Sequence, residues 1–399
     1  MIIGIDAGAL SISDDRLKVG VYRVVKNALE ALAAIDKKNN YRLYTFQAIE
    51  QGIVDKFDGR AQVVQLPKLG WQRAWLPLEL KRHPVDAYLG FAQALPSVKT
   101  LCDLGFIYDL GFLYEPDAYG GSAAVLKKQT DDLVRRATHI ITISEATKLD
   151  IIDKYSKTSF RRSKPGSRAS LHYLAKLSFP LITVAYPGVD ARFSPAGPTH
   201  TGPRPYFLFV GSLTKTKDIP ALIAAFAGFC QNNKLYDLLL IGGDYWPDPE
   251  IDRAIDKYGL ENRVKRIGFI SDKELPSYYR GATAYVTAAL REGFCLPAVE
   301  AMACGTPVVG LDRGALREVV GDGGMIVRKK EKVKSLRQRR ISLWLKKSNL
   351  VEAMMEMTNG NTRKYYAKKA IEQAKKFRWE KFGNELLHLL DDYSRKNLG

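Results

Sequence analysis

At 399 residues the chain has room for about two or three domains, each able to bury a core of its own. No apolar run approaches the ~20 residues that a bilayer span needs, so any membrane contact is expected to be peripheral. Four cysteines (Cys102, Cys230, Cys295, Cys304) form no C-x-x-C pair and lie among apolar residues, which argues against a disulfide scaffold and for core packing in a reduced, cytoplasmic setting. The net charge of +18 is concentrated: 157–176 holds six basic residues and no acid, and 328–347 holds ten against Glu331. The rest of the chain is nearly neutral.

The opening MIIGIDAGAL is apolar without leading basic residues, so a first strand over 2–7 is expected rather than a signal peptide. After a polar loop, Val21, Val24, Val25, Ala28, Leu29, Leu32 and Ile35 recur at three- and four-residue spacing and predict an amphipathic helix, with Gly20 at its start. Further strands are expected over 41–47, 61–66, 87–91 and 101–108, a helix over 126–137, and a buried strand over 139–144, with Ser144 capping the helix that follows. The stretch 156–178 reads as a basic, loop-forming insertion, after which 181–184 resumes a strand. Pro, Gly and Thr crowd 191–205, which reads as an interdomain linker.

A fully apolar strand over 206–211 opens the second half, followed by the loop Ser212-Leu213-Thr214-Lys215-Thr216-Lys217. Strands are expected over 238–241 and 264–270, with Ser271 or Asp272 capping a helix after the second. The run AYVTA (284–288) is a strand, 291–296 a loop, 297–304 a short helix, and 306–309 a further strand. Pro297 suits the first helical turn and Gly305 the left-handed position after the last. A loop opening on a helix N-terminus offers unpaired N–H groups and the positive end of a helix dipole to a phosphate. Glu292 and Glu300 flank that loop, and carboxylates beside an anion site suit sugar hydroxyls: Glu300 for a ribose, Glu292 for a transferred sugar. After a second basic segment at 328–347, helices are expected over 349–357 and 361–377.

The run EGFCLPAVEAMACGTPVV (292–309) resembles the E-x7-E segment of retaining glycosyltransferases of the large family 4 (glycosyl transferases group 1), in type and spacing. The resemblance is strongest over 206–327 and extends, more thinly, across nearly the whole chain. It implies an α/β protein of GT-B architecture: two Rossmann-like domains facing a cleft, with a C-terminal helix crossing back to the N-terminal domain. The implied division is 1–190 on the acceptor side, a linker at 191–205, a nucleotide-sugar domain at 206–378 and the crossover helix at 379–399. Similar enzymes grip the donor diphosphate with an arginine and a lysine in the loop after the first strand of the second domain. Lys217 fits the lysine here, while Ser212 and Thr216 stand where arginines are often found.

The implied donor set is Gly20, Ser212, Lys217, the backbone near Phe269 and Ile270 for the base, Gly293, Phe294, Cys295, Leu296 and Glu300. Glu292, Lys217, Asp109 and Tyr108 are the implied catalytic group. Tyr108 replaces a histidine, and a phenol is a poor base at neutral pH. The reaction implied is retaining transfer of a hexose, with a lean towards mannose, from a GDP- or UDP-linked sugar to a saccharide or lipid-linked acceptor, without metal or other cofactor. The basic segments suit an anionic membrane surface on the cytoplasmic side. Nucleic acid is the weaker partner, since no recognition motif accompanies the charge. The departures at Tyr108 and Thr216 keep open an alternative: a catalytically impaired relative that binds a nucleotide sugar or a polyanion.

Overall fold

The computed structural model describes residues 1–12, 14, 18, 20–156, 179–243, 248–327 and 350–398. Of the two basic insertions expected at 156–178 and 328–347, everything beyond Ser156 lies outside the described residues. The chain divides into two compact units, Met1–Gly188 with Arg378–Gly399, and Val189–Phe377.

Among the described residues the first unit holds seven parallel strands: β1 (Ile2–Asp6), β2 (Asn40–Thr45), β3 (Ala61–Gln65), β4 (Ala87–Gly90), β5 (Cys102–Ile107), β6 (His139–Thr142) and β7 (Leu181–Val184). Their order is β3-β2-β1-β4-β5-β6-β7. A parallel sheet is covered on both faces, so its inner strands read as continuous apolar runs, and every residue of β4, β5 and β6 is buried. The helix expected after Gly20 is α1 (Val21–Ile35), buried along the predicted stripe from Val24 to Leu32, with Val21 exposed at its start and Ile35 half-buried at its end. The next long helix, α2 (Ser122–Arg136), begins four residues before its expected start. Ser144 caps α3 (Glu145–Ile151), its hydroxyl accepting the Thr147 N–H at 3.1 Å.

The second unit repeats the plan with, among the described residues, six parallel strands: β8 (Tyr206–Val210), β9 (Asp237–Ile241), β10 (Val264–Gly268), β11 (Ala284–Thr287), β12 (Val308–Leu311) and β13 (Gly324–Val327). They run in the order β10-β9-β8-β11-β12-β13. Phe207, Phe209, Phe226, Phe229, Leu238 and Leu240 fill one core, which the helix at 350–358 closes through Met354 and Met357. Three helices matter for the site: α4 (Ile219–Cys230), α5 (Leu275–Gly281) and α6 (Leu296–Ala303). The expected cap of α5 is corrected. The helix starts at Leu275, with a proline in its first turn and no side-chain cap; the Ser271 carbonyl instead accepts the N–H groups of Glu274 and Leu275.

The segment 191–205, read from composition as a linker, is packed within the second unit. Phe193 sets its ring edge-on to Tyr279, His200 stacks on Tyr278 at 4.0 Å, and Arg280 donates to the carbonyls of Ser194 and Pro198.

After α7 (Gly360–Ala374) the chain returns to the first unit as α8 (Trp379–Leu398), which packs on α1. Gly383 makes that approach possible, since a Cβ there would lie 2.8 Å from the Ala31 methyl. Phe382 is fully buried between Phe106 and Trp379. Phe382→Ala should therefore cost about 3–5 kcal/mol, the usual loss for a buried aromatic. Urea unfolding read by far-UV circular dichroism should show the lowered midpoint, and an unchanged midpoint would mean that α8 is not anchored there.

Candidate active site

The second sheet has a topological switch point. From β8 the chain builds outwards through β9 and β10, then returns to β11 on the other side of β8. The loops leaving the carboxyl ends of β8 and β11 therefore part in opposite directions and open a crevice, the place where ligands bind in such sheets. A backbone bond from Leu290 N–H to the Thr216 carbonyl, 2.9 Å, ties the two loops together.

Two residues singled out from sequence meet in that crevice although 75 positions separate them. Lys217 closes a short 3-10 turn before α4, and its Nζ lies 2.8 and 2.9 Å from the two carboxylate oxygens of Glu292. Glu292 is 8% exposed and Lys217 27%. The Glu292 backbone is fixed from β12's side, where its carbonyl accepts the Ala315 N–H at 2.8 Å and Gly314 pairs alongside. Only glycine fits at 314: φ is +64°, and a Cβ would sit 2.2 Å from the Glu292 oxygen.

The chain then enters α6 through Cys295, a non-glycine residue at φ +78°, with no side chain capping the helix and a proline in its first turn. Gly305 ends the helix unit at φ +80°, as its sequence position predicted. The side chains of Phe294 and Cys295 are buried, the first edge-on to Phe377. Burial, reinforced by the Glu292 charge, pushes the Cys295 thiol up to about 12, so it stays protonated. Any contact that Phe294 and Cys295 make with a ligand thus falls to the backbone. Glu300 is 5% exposed, and its Oε2 accepts from the hydroxyl of Tyr279 on α5 at 2.9 Å. Sequence reasoning did not find Tyr279, because an aromatic in a helix carries no motif.

Ser212 is half-buried and offers its carbonyl to the Thr214 N–H. Ile270 is half-buried, and Phe269 is 43% exposed beyond the end of β10. An apolar ring in that position can cover the face of a planar base.

The remaining expected site residues belong to the first unit and are described there alone. Gly20 is exposed at φ +49° ahead of α1. The Tyr108 hydroxyl is buried with no hydrogen-bond partner among the described residues, and burial pushes its pKa far above the ordinary phenol value, so it is a neutral donor. Asp109 uses Oδ1 to accept the Gly111 N–H at 2.7 Å and the Tyr119 hydroxyl at 3.4 Å.

Asp6 was missed as well. Asp6, 2% exposed, ends β1 at the switch point of the first sheet, between the crossings to β2 and β4. Its carboxylate accepts the Gly8 N–H at 3.0 Å and the Gln72 amide at 3.5 Å. Burial raises its pKa to about 6, and its charge also opposes ionisation of Tyr108. The only sequence signal was a lone acid ending an apolar strand. Because the folded-state pKa lies above the unfolded value of 3.8, the native state is favoured while Asp6 is protonated. Stability should therefore fall as pH rises from 4 to beyond 6, by about 3 kcal/mol from this group. Asp6→Asn should flatten that part of the profile in urea midpoints measured from pH 4 to 7, and an equally steep profile would remove Asp6 as its source.

Residues 191–364 match the family model described as "Glycosyl transferases group 1". The chain is similar to O-antigen chain mannosyltransferase B of Escherichia coli, 34% identical over 122 residues that make up 30% of this chain and 32% of that one. The chain thus spans about a third of that curated relative's length. In fold it is similar to sucrose-phosphate synthase from Thermosynechococcus elongatus, with a TM-score of 0.70 at 17% identity over 99% of this chain and 100% of the other. It is similar too to Anabaena Alr3699/HepE, solved in complex with UDP-glucose, with a TM-score of 0.65 at 19% identity over 98% of this chain and 99% of that one. The motif, the switch-point site and the matching model agree that residues 191–364, within the second unit, resemble the glycosyl transferases group 1 family, and the two Rossmann-like units have the GT-B fold.

Proposed function

We propose that this protein transfers a hexose, with mannose the first sugar to test, from a nucleoside diphosphate donor to a saccharide or lipid-linked acceptor with retention. The observation that carries the reading is the Lys217–Glu292 contact beside the α6 N-terminus at a switch-point crevice. Lys217 and the amides of Gly293 to Leu296 neutralise charge developing on the leaving diphosphate, the preorganised electrostatic term that usually dominates catalysis. Glu292, freed from one of its two contacts with Lys217, accepts hydroxyls of the transferred sugar, and Glu300, oriented by Tyr279, accepts those of the ribose. Ser212 and the exposed Phe269 beside Ile270 border the remainder of the donor. With these cations and dipoles on the diphosphate the reaction needs no metal or cofactor. The lean towards mannose draws on the similarity to an O-antigen chain mannosyltransferase, and the nucleotide sugar on the fold shared with an enzyme solved with UDP-glucose.

In the first unit, Gly20 and Asp109 are the residues assigned to the transferred sugar, with Tyr108 beside Asp109 as a hydrogen-bond donor. The basic segments at 157–176 and 328–347 draw the protein to an anionic membrane, where a lipid-linked acceptor would be met; no described helix is long and apolar enough to cross a bilayer. A second reading, a relative that binds a nucleotide sugar without turning it over, is favoured by the absence of arginine at 212 and 216 and of histidine at 108.

The test is turnover of GDP-mannose and UDP-glucose by the purified chain, followed by proton NMR. Slow hydrolysis of one donor should release the α-anomer first, and Lys217→Ala should lower the rate about a hundredfold or more. Initial β-anomer would overturn retention; a rate untouched by Lys217→Ala would overturn the site. Nucleotide binding with no turnover would establish the second reading.

A further inference from the structure

The donor loop at 212–217 holds a lysine at the expected place but no arginine, although a diphosphate spreads negative charge over several oxygens. A guanidinium reaches the same crevice from a different strand. Arg313 follows β12, and its side chain leans back across β11: Nη1 lies 3.5 Å from the Ala288 carbonyl, 3.4 Å from that of Ala289, and 3.9 Å from Asp218 Oδ2. Ala288 and Ala289 leave the carboxyl end of β11, and Asp218 adjoins Lys217 in the loop after β8. The guanidinium therefore spans the switch point. Its neighbour Gly314 is the residue paired with the Glu292 backbone.

Two cations and two carboxylates thus share the crevice, Lys217 against Glu292 and Arg313 against Asp218. The set is neutral without ligand, which lets two like charges stand near each other. The pairs are unequal. Lys217 is held at 2.8 Å, whereas Arg313 meets Asp218 at 3.9 Å, the limit of an ion pair. All the hydrogen bonds that Arg313 makes among the described residues are long and come from Nη1. Its Nη2 and Nε, the fork that matches two phosphate oxygens, are not used in them.

We propose that Arg313 is the second cation of the donor site and donates in bidentate fashion to the diphosphate of a nucleoside diphosphate sugar, while Lys217 meets the same group as a point charge. The proposal rests on the donor-site reading above and adds to it a residue from outside both the E-x7-E run and the 212–217 loop. Asp218 keeps the guanidinium in place, and its long contact is the one that gives way when phosphate oxygens arrive. A purely structural Arg313, tying together the loops after β8, β11 and β12, would have another signature. Its loss would lower thermal stability and weaken every nucleotide alike.

Calorimetric titrations of the full chain separate these cases, with UDP, GDP and ADP each set against its monophosphate. Wild type should bind the diphosphate of its preferred base more tightly than the monophosphate. Arg313→Gln should shrink that preference about tenfold to a hundredfold, the worth of hydrogen bonds to a charged group, and leave the monophosphate unchanged. Arg313→Lys, which keeps the charge and stem but loses the fork, should shrink it less, and it carries the comparison if the glutamine variant is unstable. Equal weakening of mono- and diphosphate, or no change in either variant, would overturn the role of Arg313. Lys217→Ala tells the two levels apart: if it alone abolishes the diphosphate preference, the donor site stands without Arg313. If wild type binds no nucleotide at all, both readings fall.

Discussion

The contact between Lys217 and Glu292 is what the second unit is arranged to make. An ammonium on both oxygens of a nearly buried carboxylate is stable only if each partner is fixed independently, because a long side chain loses entropy when it is held in one geometry. Lys217 is fixed by the short turn between β8 and α4, and by the bond that ties that loop to Leu290. Glu292 is fixed through its backbone by the glycine at 314 and the N–H of Ala315. Both supports come from strand order. If β11 did not return beside β8, the two loops would not open onto the same crevice.

The same contact sets the chemistry. In the proposed reaction a cation held by a carboxylate is positioned before any ligand arrives, so its orientation is already decided when phosphate oxygens enter. The α6 N-terminus beside it adds oriented N–H groups without adding a mobile charge. The buried Glu300–Tyr279 bond places a second acceptor within the same helix, about one turn on from its first residue.

Much of this was legible in sequence, for reasons that differ from element to element. The strands were readable because a parallel sheet buried on both faces demands continuous apolar runs, as in β8 and β11. The ends of α6 were readable because Pro297 and Gly305 each suit one terminal position. The partnership of Lys217 with Glu292 was not readable as a contact, since nothing local links positions 75 apart; the resemblance supplied both residues, and the fold supplied their meeting. Segment 191–205 misled because composition records turn residues and not the carbonyls that Arg280 finds among them. Asp6 and Arg313 were overlooked for a shared reason: each is a single charged residue at a strand end, and its significance lies in what the neighbouring strands bring to it. The exposure of Phe269 likewise depends on β10 being an edge strand, which is a property of the sheet rather than of the segment.

The central claim is that the crevice between the loops after β8 and β11 is where the nucleoside diphosphate binds. Crystals of the full chain grown with UDP and, separately, with GDP test it most directly. The account predicts diphosphate density at the first turn of α6 within hydrogen-bond reach of Lys217, the ribose against Glu300, and a Lys217–Glu292 separation longer than 2.8 Å. A nucleotide seated in the first unit or on the basic segments, with the Lys217–Glu292 contact intact, would contradict it.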